Sequence, residues 1–178
     1  MIILETERLV LSQLVPEDAP FALELLNDPA FVDQIGDRGV RNLADATHYL
    51  VRGPILSYAL NGFAMYRVNL KATGEGVGET VGMCGLVTRE GLHDVDVGFA
   101  FLRRFWSQGF ATESARAVLE YGRTKIGLKR IVGITAPENN ASIRVLEKIG
   151  MKYEGLVTLP REGKAVKLFG ITFSESKK

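Results

Sequence analysis

The stretch "FWSQGFATES", residues 105–114, sets the small residues Gly109 and Ala111 between bulky neighbours. It follows an alternating run, "DVDVGFAF", and precedes a helical pattern, "ESARAVLEYGRTKIG". A chain that passes here from strand to helix presents the first helical turn, with its free backbone N–H groups and partial positive charge. Small residues let a ligand approach that backbone closely. Successive N–H groups of this kind hold a phosphate or pyrophosphate. Arg103 and Arg104 stand just upstream and add charge. The alternative is a tight turn that uses glycine and alanine only to change direction. A second junction, "PENNAS" at 137–142, carries Asn139 and Ser142. Each either caps the helix that follows or faces a ligand, the asparagine as amide donor and the serine as proton donor.

Hydrophobic spacing supplies the elements that must position these groups. "ERLVLSQL" (7–14) alternates as a strand does. "VPEDAPFALELLNDP" (15–29) predicts a helix with an acidic, proline-containing start, an apolar stripe of Phe21, Leu25 and Leu26, and Pro29 as its stop. "NLADATHYLVRG" (42–53) predicts another, ending at Gly53. "GFAMYRVNLKATGEGV" (62–77) reads as a strand entering a glycine-rich turn, with "ETVGMCGLVTRE" (79–90) as hairpin partner. A strand over 94–102 leads to a helix that begins near Thr112 and ends at Gly127. "KRIVGITA" (129–136) is nearly continuous in apolar residues, as a buried strand is. A helix over 138–150 and two strands, "KYEGLVTLP" and "KAVKLFGITF" joined by "REG", complete an α+β chain around a mixed sheet.

With 178 residues, 46% of them apolar, the chain suffices for a single domain spanning 1–178. A formal net charge of +1 demands neither nucleic acid nor an anionic membrane as partner. Any anion is therefore held by a local device. No apolar run approaches the ~20 residues of a membrane span, and "MIILETERLV" lacks the pattern of a secretory signal. The single cysteine, Cys84, forms no internal disulfide, which fits a cytoplasmic setting. It reads as a core residue. His48, His93 and Cys84 are too few for a metal cluster, so no metal is expected. Strands near the C-terminus offer edges through which a homodimer could form.

The stretches "DVDVGFAFLRRFWSQGFATESARAVLEYG" and "LKRIVGITAPENNASIRVLEKIGM" together resemble the GNAT superfamily of N-acetyltransferases. They look most like the ribosomal-protein N-terminal acetyltransferase branch. "ETERLVLSQLVPED" is similar to the opening of that branch, so the resemblance covers nearly the whole chain. The family signature Gln/Arg-x-x-Gly-x-Gly/Ala reads here Trp106-Ser107-Gln108-Gly109-Phe110-Ala111; Trp106 departs at the first position, and Ser107 stands where the branch often has glycine. The resemblance implies a mixed, mostly antiparallel sheet of about seven strands, splayed in the middle and flanked by about four helices.

It also implies acetyl-CoA as co-substrate and a primary amine as acceptor, a protein N-terminus or lysine. Alternatives are a polyamine or aminoglycoside-like amine, or a non-catalytic acyl-CoA sensor. By the same resemblance, Ser107 belongs to the cofactor loop, and N–H groups from Gln108, Gly109, Phe110, Ala111, Thr112 and Glu113 bind the pyrophosphate, with Arg104 adding charge. Phe99, Ala100 and Phe101 offer strand backbone to the pantetheine arm as in β-augmentation. Asn139 bonds that arm, Ser142 sits by the thioester sulfur, and Arg144 and Lys148 reach toward the nucleotide. Asp96, where the branch often has Glu, is the expected general base, directly or through water. Asp94 shares its strand face by the period-2 rule, and His93 lies close by. A strand N–H near Phe99 polarises the carbonyl. Tyr58, Phe63, Tyr66 and Arg67 fall where the branch builds its acceptor wall.

Overall fold

The computed structural model describes residues 1–72, 76–160 and 163–174. Residues 73–75 and 161–162, which hold most of the expected "ATGEG" and "REG" turns, lie outside the described residues. Eight strands form one sheet in the order β1-β2-β3-β4-β5-β6-β8-β7. They are β1 (Ile2–Glu5), β2 (Leu9–Gln13), β3 (Met65–Lys71), β4 (Val77–Val87), β5 (Val95–Phe101), β6 (Arg130–Thr135), β7 (Lys152–Thr158) and β8 (Ala165–Thr172). The strand beyond those expected is β1, which pairs antiparallel with β2 at the edge.

Pro29 does not end the first helix. α1 (Ala19–Leu26) stops earlier, and Pro29 opens α2 (Pro29–Gln34). The Ala30 N–H donates to the Asp28 carboxylate at 2.8 Å, and Pro29 occupies a first-turn position whose N–H would have no partner. α3 (Leu43–Leu50) is capped by Asn42, whose side-chain oxygen accepts the Asp45 N–H at 2.9 Å. It does not stop at Gly53. A π-helical turn, Val51–Ile55, carries the rod past Pro54 into α4 (Leu56–Asn61); the wider turn accommodates a residue with no N–H to give. Gly62, at φ 77°, ends the rod. α5 (Phe110–Tyr121) continues through a second π turn, Gly122–Ile126, to Gly127. α6 (Asn140–Lys148) follows β6. Counting α3 and α4 as one rod, five helices flank the sheet.

The sheet has a core on each face. Val68, Leu86, Val97 and Ile131 pack beneath Val118 of α5 and Leu146 of α6. Met83 and Leu102 pack with Leu25, Phe31 and Leu50 from α1, α2 and α3. Alternation along β5 sends Val97, Phe99 and Phe101 to the first face and Asp96, Gly98 and Ala100 to the second.

β5 and β6 are parallel and meet only at Val95 opposite Ile131 and Asp96 opposite Val132. β5 is held along its length by β4, and β6 by β8, both antiparallel. Each strand follows its outer neighbour, so beyond Asp96 and Val132 the two part and open a wedge in the sheet.

Candidate active site

A cavity of about 540 Å³ occupies the wedge. Its walls are the end of β5 (Phe99, Ala100, Phe101), the following junction (Trp106, Ser107, Gly109, Phe110, Ala111, Thr112) and α6 with its N-cap (Asn139, Ser142, Arg144, Lys148). A fourth wall was not foreseen: Asp28, Ala30, Phe31, Gln34 and Ile35 at and in α2. The pair Asp28-Pro29 was its signal, an N-cap followed by proline in the first turn.

The open edge of β5 follows from its register. The Leu102 N–H donates to the Val81 carbonyl, and the pairing runs Gly82–Phe101, Met83–Ala100, Cys84–Phe99. Hydrogen-bonded pairs alternate in an antiparallel ladder. Gly98 and Ala100 therefore bond to β4, and the backbone groups of Val97, Phe99 and Phe101 point the other way. At Phe99 that direction is the wedge. The Phe101 carbonyl is already taken, accepting the Trp106 indole N–H at 2.8 Å. Phe99 thus offers both backbone groups and Phe101 its N–H.

The junction enters α5 earlier than the spacing suggested, at Phe110, with Gly109 as N-cap at φ 82°. No side chain caps this end. The N–H groups of Phe110, Ala111 and Thr112 donate to no backbone carbonyl among the described residues. The Glu113 N–H is spent on the Gly109 carbonyl at 3.0 Å and is not available to a ligand. Ser107, where glycine was the expected residue, sits at φ 60°, the one non-glycine positive φ among the described residues. A backbone in this region costs about 1 kcal/mol or more for an L-residue, so the loop keeps the conformation that glycine would adopt freely.

At the α6 end the two readings of Asn139 coexist. Its Oδ1 accepts the Ser142 N–H at 3.1 Å, which caps the helix. The amide keeps its Nδ2 donor, on a residue that lines the cavity. Ser142 and Arg144 line the same wall.

Five residues expected at or near the site lie outside the cavity wall. Asp96 is 1% exposed and is not in the cavity wall. It faces the α1–α3 side, and the Arg89 Nε donates to its carboxylate at 2.5 Å. Asp94 precedes β5 and accepts from Arg130, which also grips Glu154, so the two aspartates do not act as a like-charged pair. Arg104 is exposed and engaged with Glu24 and Glu79. The Gln108 carbonyl accepts from Arg8 Nη1 at 3.0 Å, and the Glu113 carboxylate turns away from the cavity to Thr6 and Arg8. Burial favours protonation of Glu113, but the hydrogen bonds from the Thr6 hydroxyl and from Arg8 outweigh it and hold the carboxyl below its ordinary value.

His48 and His93 are exposed. Tyr66 and Phe63 are core residues, Tyr58 packs edge-on against Tyr66, and Arg67 pairs with Asp18. Among the described residues no three histidine, cysteine, aspartate or glutamate side chains converge as metal ligands, and no helix is long and apolar enough to cross a membrane.

A splayed parallel pair, a free strand edge and an uncapped helix N-terminus around one wedge define the class of the GNAT-fold acyltransferases. The family described as "Acetyltransferase (GNAT) domain" matches residues 8–152, and the chain belongs to it. It is 29% identical over 157 residues to the uncharacterized N-acetyltransferase p20 of Bacillus licheniformis, covering 86% of this chain and 84% of p20. It is 44% identical over 78 residues to the uncharacterized protein YkkB of Bacillus subtilis, covering 43% of this chain but only 45% of that relative's length. Among solved structures, RimL, a ribosomal L7/L12 alpha-N-protein acetyltransferase in complex with coenzyme A, superposes with a TM-score of 0.79. That likeness spans 97% of this chain and 98% of RimL at 19% identity, a likeness of fold.

Proposed function

We propose that this chain transfers the acetyl group of acetyl-CoA directly to a primary amine, with a protein N-terminus as the favoured acceptor. The observation that carries this reading is the alignment of two devices along one cavity: the open Phe99 edge of β5 and the free N–H groups of Phe110, Ala111 and Thr112. The pantetheine arm of acetyl-CoA carries amides that extend β5 as an added strand does. Its pyrophosphate then meets the uncapped end of α5, where dipole and N–H groups favour an anion. Asn139 Nδ2 is a further donor to the arm. The coenzyme A bound in RimL supports the same use of this fold.

The thioester then lies in the wedge beside Ser142. The amine nitrogen attacks the carbonyl carbon, a C–N bond forms, the C–S bond breaks and coenzyme A leaves as its thiolate. A thiol of pKa ~8.5 leaves readily near neutral pH, and the Ser142 hydroxyl assists by donating a hydrogen bond to the sulfur. The proton released by the amine passes to solvent. The carboxylate in the cavity wall belongs to Asp28 and caps α2; Asp96 is held by Arg89. An α-amine of pKa ~7.7–8.0 is roughly a tenth neutral at pH 7 without a resident base, and a lysine at ~10.4 far less so. This favours an N-terminal α-amine.

The test is acetyl-CoA binding by calorimetry for the wild type and for Gly109→Glu, followed by coenzyme A release with an N-terminal peptide, a lysine peptide and a polyamine. Micromolar binding, lost in a folded variant, with release driven by the N-terminal peptide, is the expected result. Binding without release from any amine would instead make the chain a sensor. No binding by the wild type would remove the acetyl-CoA reading.

A further inference from the structure

We propose that Arg8 is a positioning residue that presets the anion-binding turn of α5, an inference that rests on the pyrophosphate lying at that turn. Arg8 comes from the connection between β1 and β2, and its contacts with Glu113 span 105 positions of sequence. It grips the turn at three points. Its Nη1 donates to the Gln108 carbonyl at 3.0 Å. Its guanidinium lies over the Phe110 ring, 4.7 Å from the centroid. Its Nε and backbone N–H donate to the two Glu113 carboxylate oxygens at 2.7 and 2.9 Å, and the Thr6 hydroxyl adds a third donor at 2.6 Å. The Arg8 carbonyl is tied in turn to the Lys71 N–H of β3, so the clamp is anchored in the sheet.

The contact with the Gln108 carbonyl has a direct geometric result. In a trans peptide the carbonyl and the next N–H point in opposite directions, and no peptide bond among the described residues is cis. Drawing the Gln108 oxygen toward Arg8 therefore turns the Gly109 N–H away from Arg8, toward the cavity that Gly109 lines and Arg8 does not. The same contact keeps a carbonyl dipole from facing an incoming anion. Glu113 neutralises the guanidinium, so Arg8 acts through peptide orientation and not as a charge offered to the phosphates. An arginine suits the task because its planar fork bonds several acceptors in fixed directions; a lysine offers one ammonium centre.

The experiment compares acetyl-CoA with S-acetyl-pantetheine, which has the thioester arm and no pyrophosphate, in the wild type, Arg8→Ala and Arg8→Lys. Arg8→Ala is expected to raise KM for acetyl-CoA about tenfold, with kcat and the KM for S-acetyl-pantetheine unchanged within about twofold. Arg8→Lys recovers part of the loss, and it carries the same comparison should Arg8→Ala not fold. A parallel rise for both thioesters, or for neither, overturns the role of Arg8 while leaving acetyl-CoA as donor. A wild type that turns over neither thioester overturns the donor reading and this one with it.

Discussion

The two strand-to-helix junctions that flank the wedge solve the same problem in opposite ways. β6 enters α6 through Asn139, whose side chain accepts the Ser142 N–H. β5 enters α5 through Gly109, with no side-chain cap at all. The first spends a backbone donor on its own cap and turns side chains toward the cavity. The second leaves its backbone donors unspent and removes the side chains that would cover them. Stability and binding compete for the same N–H groups, and this molecule assigns one junction to each.

The contrast can be broken at several places. Asp96 lies where the two strands part, opposite Val132. Asp96→Asn removes the buried charge from the part-buried contact with Arg89 and should cost about 3 kcal/mol, read by denaturant unfolding, with the shape of the pH–rate profile preserved. Loss of the acid limb at full stability would instead make Asp96 the base. Gly109→Glu forces a side chain into φ 82°, with its Cβ 3.3 Å from Arg8 Nη2, and adds a negative charge at the N-terminal end of α5. Acetyl-CoA affinity should fall about 100-fold by calorimetry; retained affinity would mean that the bare junction binds nothing.

At the capped junction the two roles of one residue separate. Asn139→Ala should lose about 1 kcal/mol of stability with its cap, whereas Asn139→Asp keeps the cap and loses the amide donor. The aspartate variant should therefore melt like the wild type and bind acetyl-CoA about tenfold more weakly. Equal binding would make Asn139 a cap alone. The smallest effect is expected at Ser107, whose φ of 60° glycine adopts without strain. Ser107→Gly should raise stability by about 0.5 kcal/mol in thermal denaturation and leave affinity unchanged; a lower Tm would point to a bond made by the hydroxyl.

Periodicity made most of the sheet and the helix stripes legible, because burial on one face repeats every two or every 3.6 residues. The bare junction was legible as chemistry, but the helix there starts at Phe110 and not near Thr112. A glycine N-cap at positive φ sends none of the usual polar capping signals. Pro29 opens a helix where a stop is expected because proline stops one helix and starts another equally well, and only its preceding aspartate tells which. The helix passes Gly53 through a π turn around Pro54, and such a turn has no composition of its own. For Asp96, alternation fixed that it shares a face with Gly98, but not which side of the sheet that face meets. The link from Arg8 to Glu113 had no local trace, since only the assembled sheet brings the two together.

Cys84 lies on β4 beneath α5, 0% exposed, and burial pushes its thiol up to about 12. It is the chain's single cysteine. The native protein is therefore silent toward thiol-specific dyes, because reaction requires the thiolate and access to it. Colour from such a dye during turnover reports only the thiol set free by the reaction. The same silence makes Cys84 a clock for the molecule itself: its slow labelling, with no substrate present, times how often the helix carrying the bare junction lifts from the sheet.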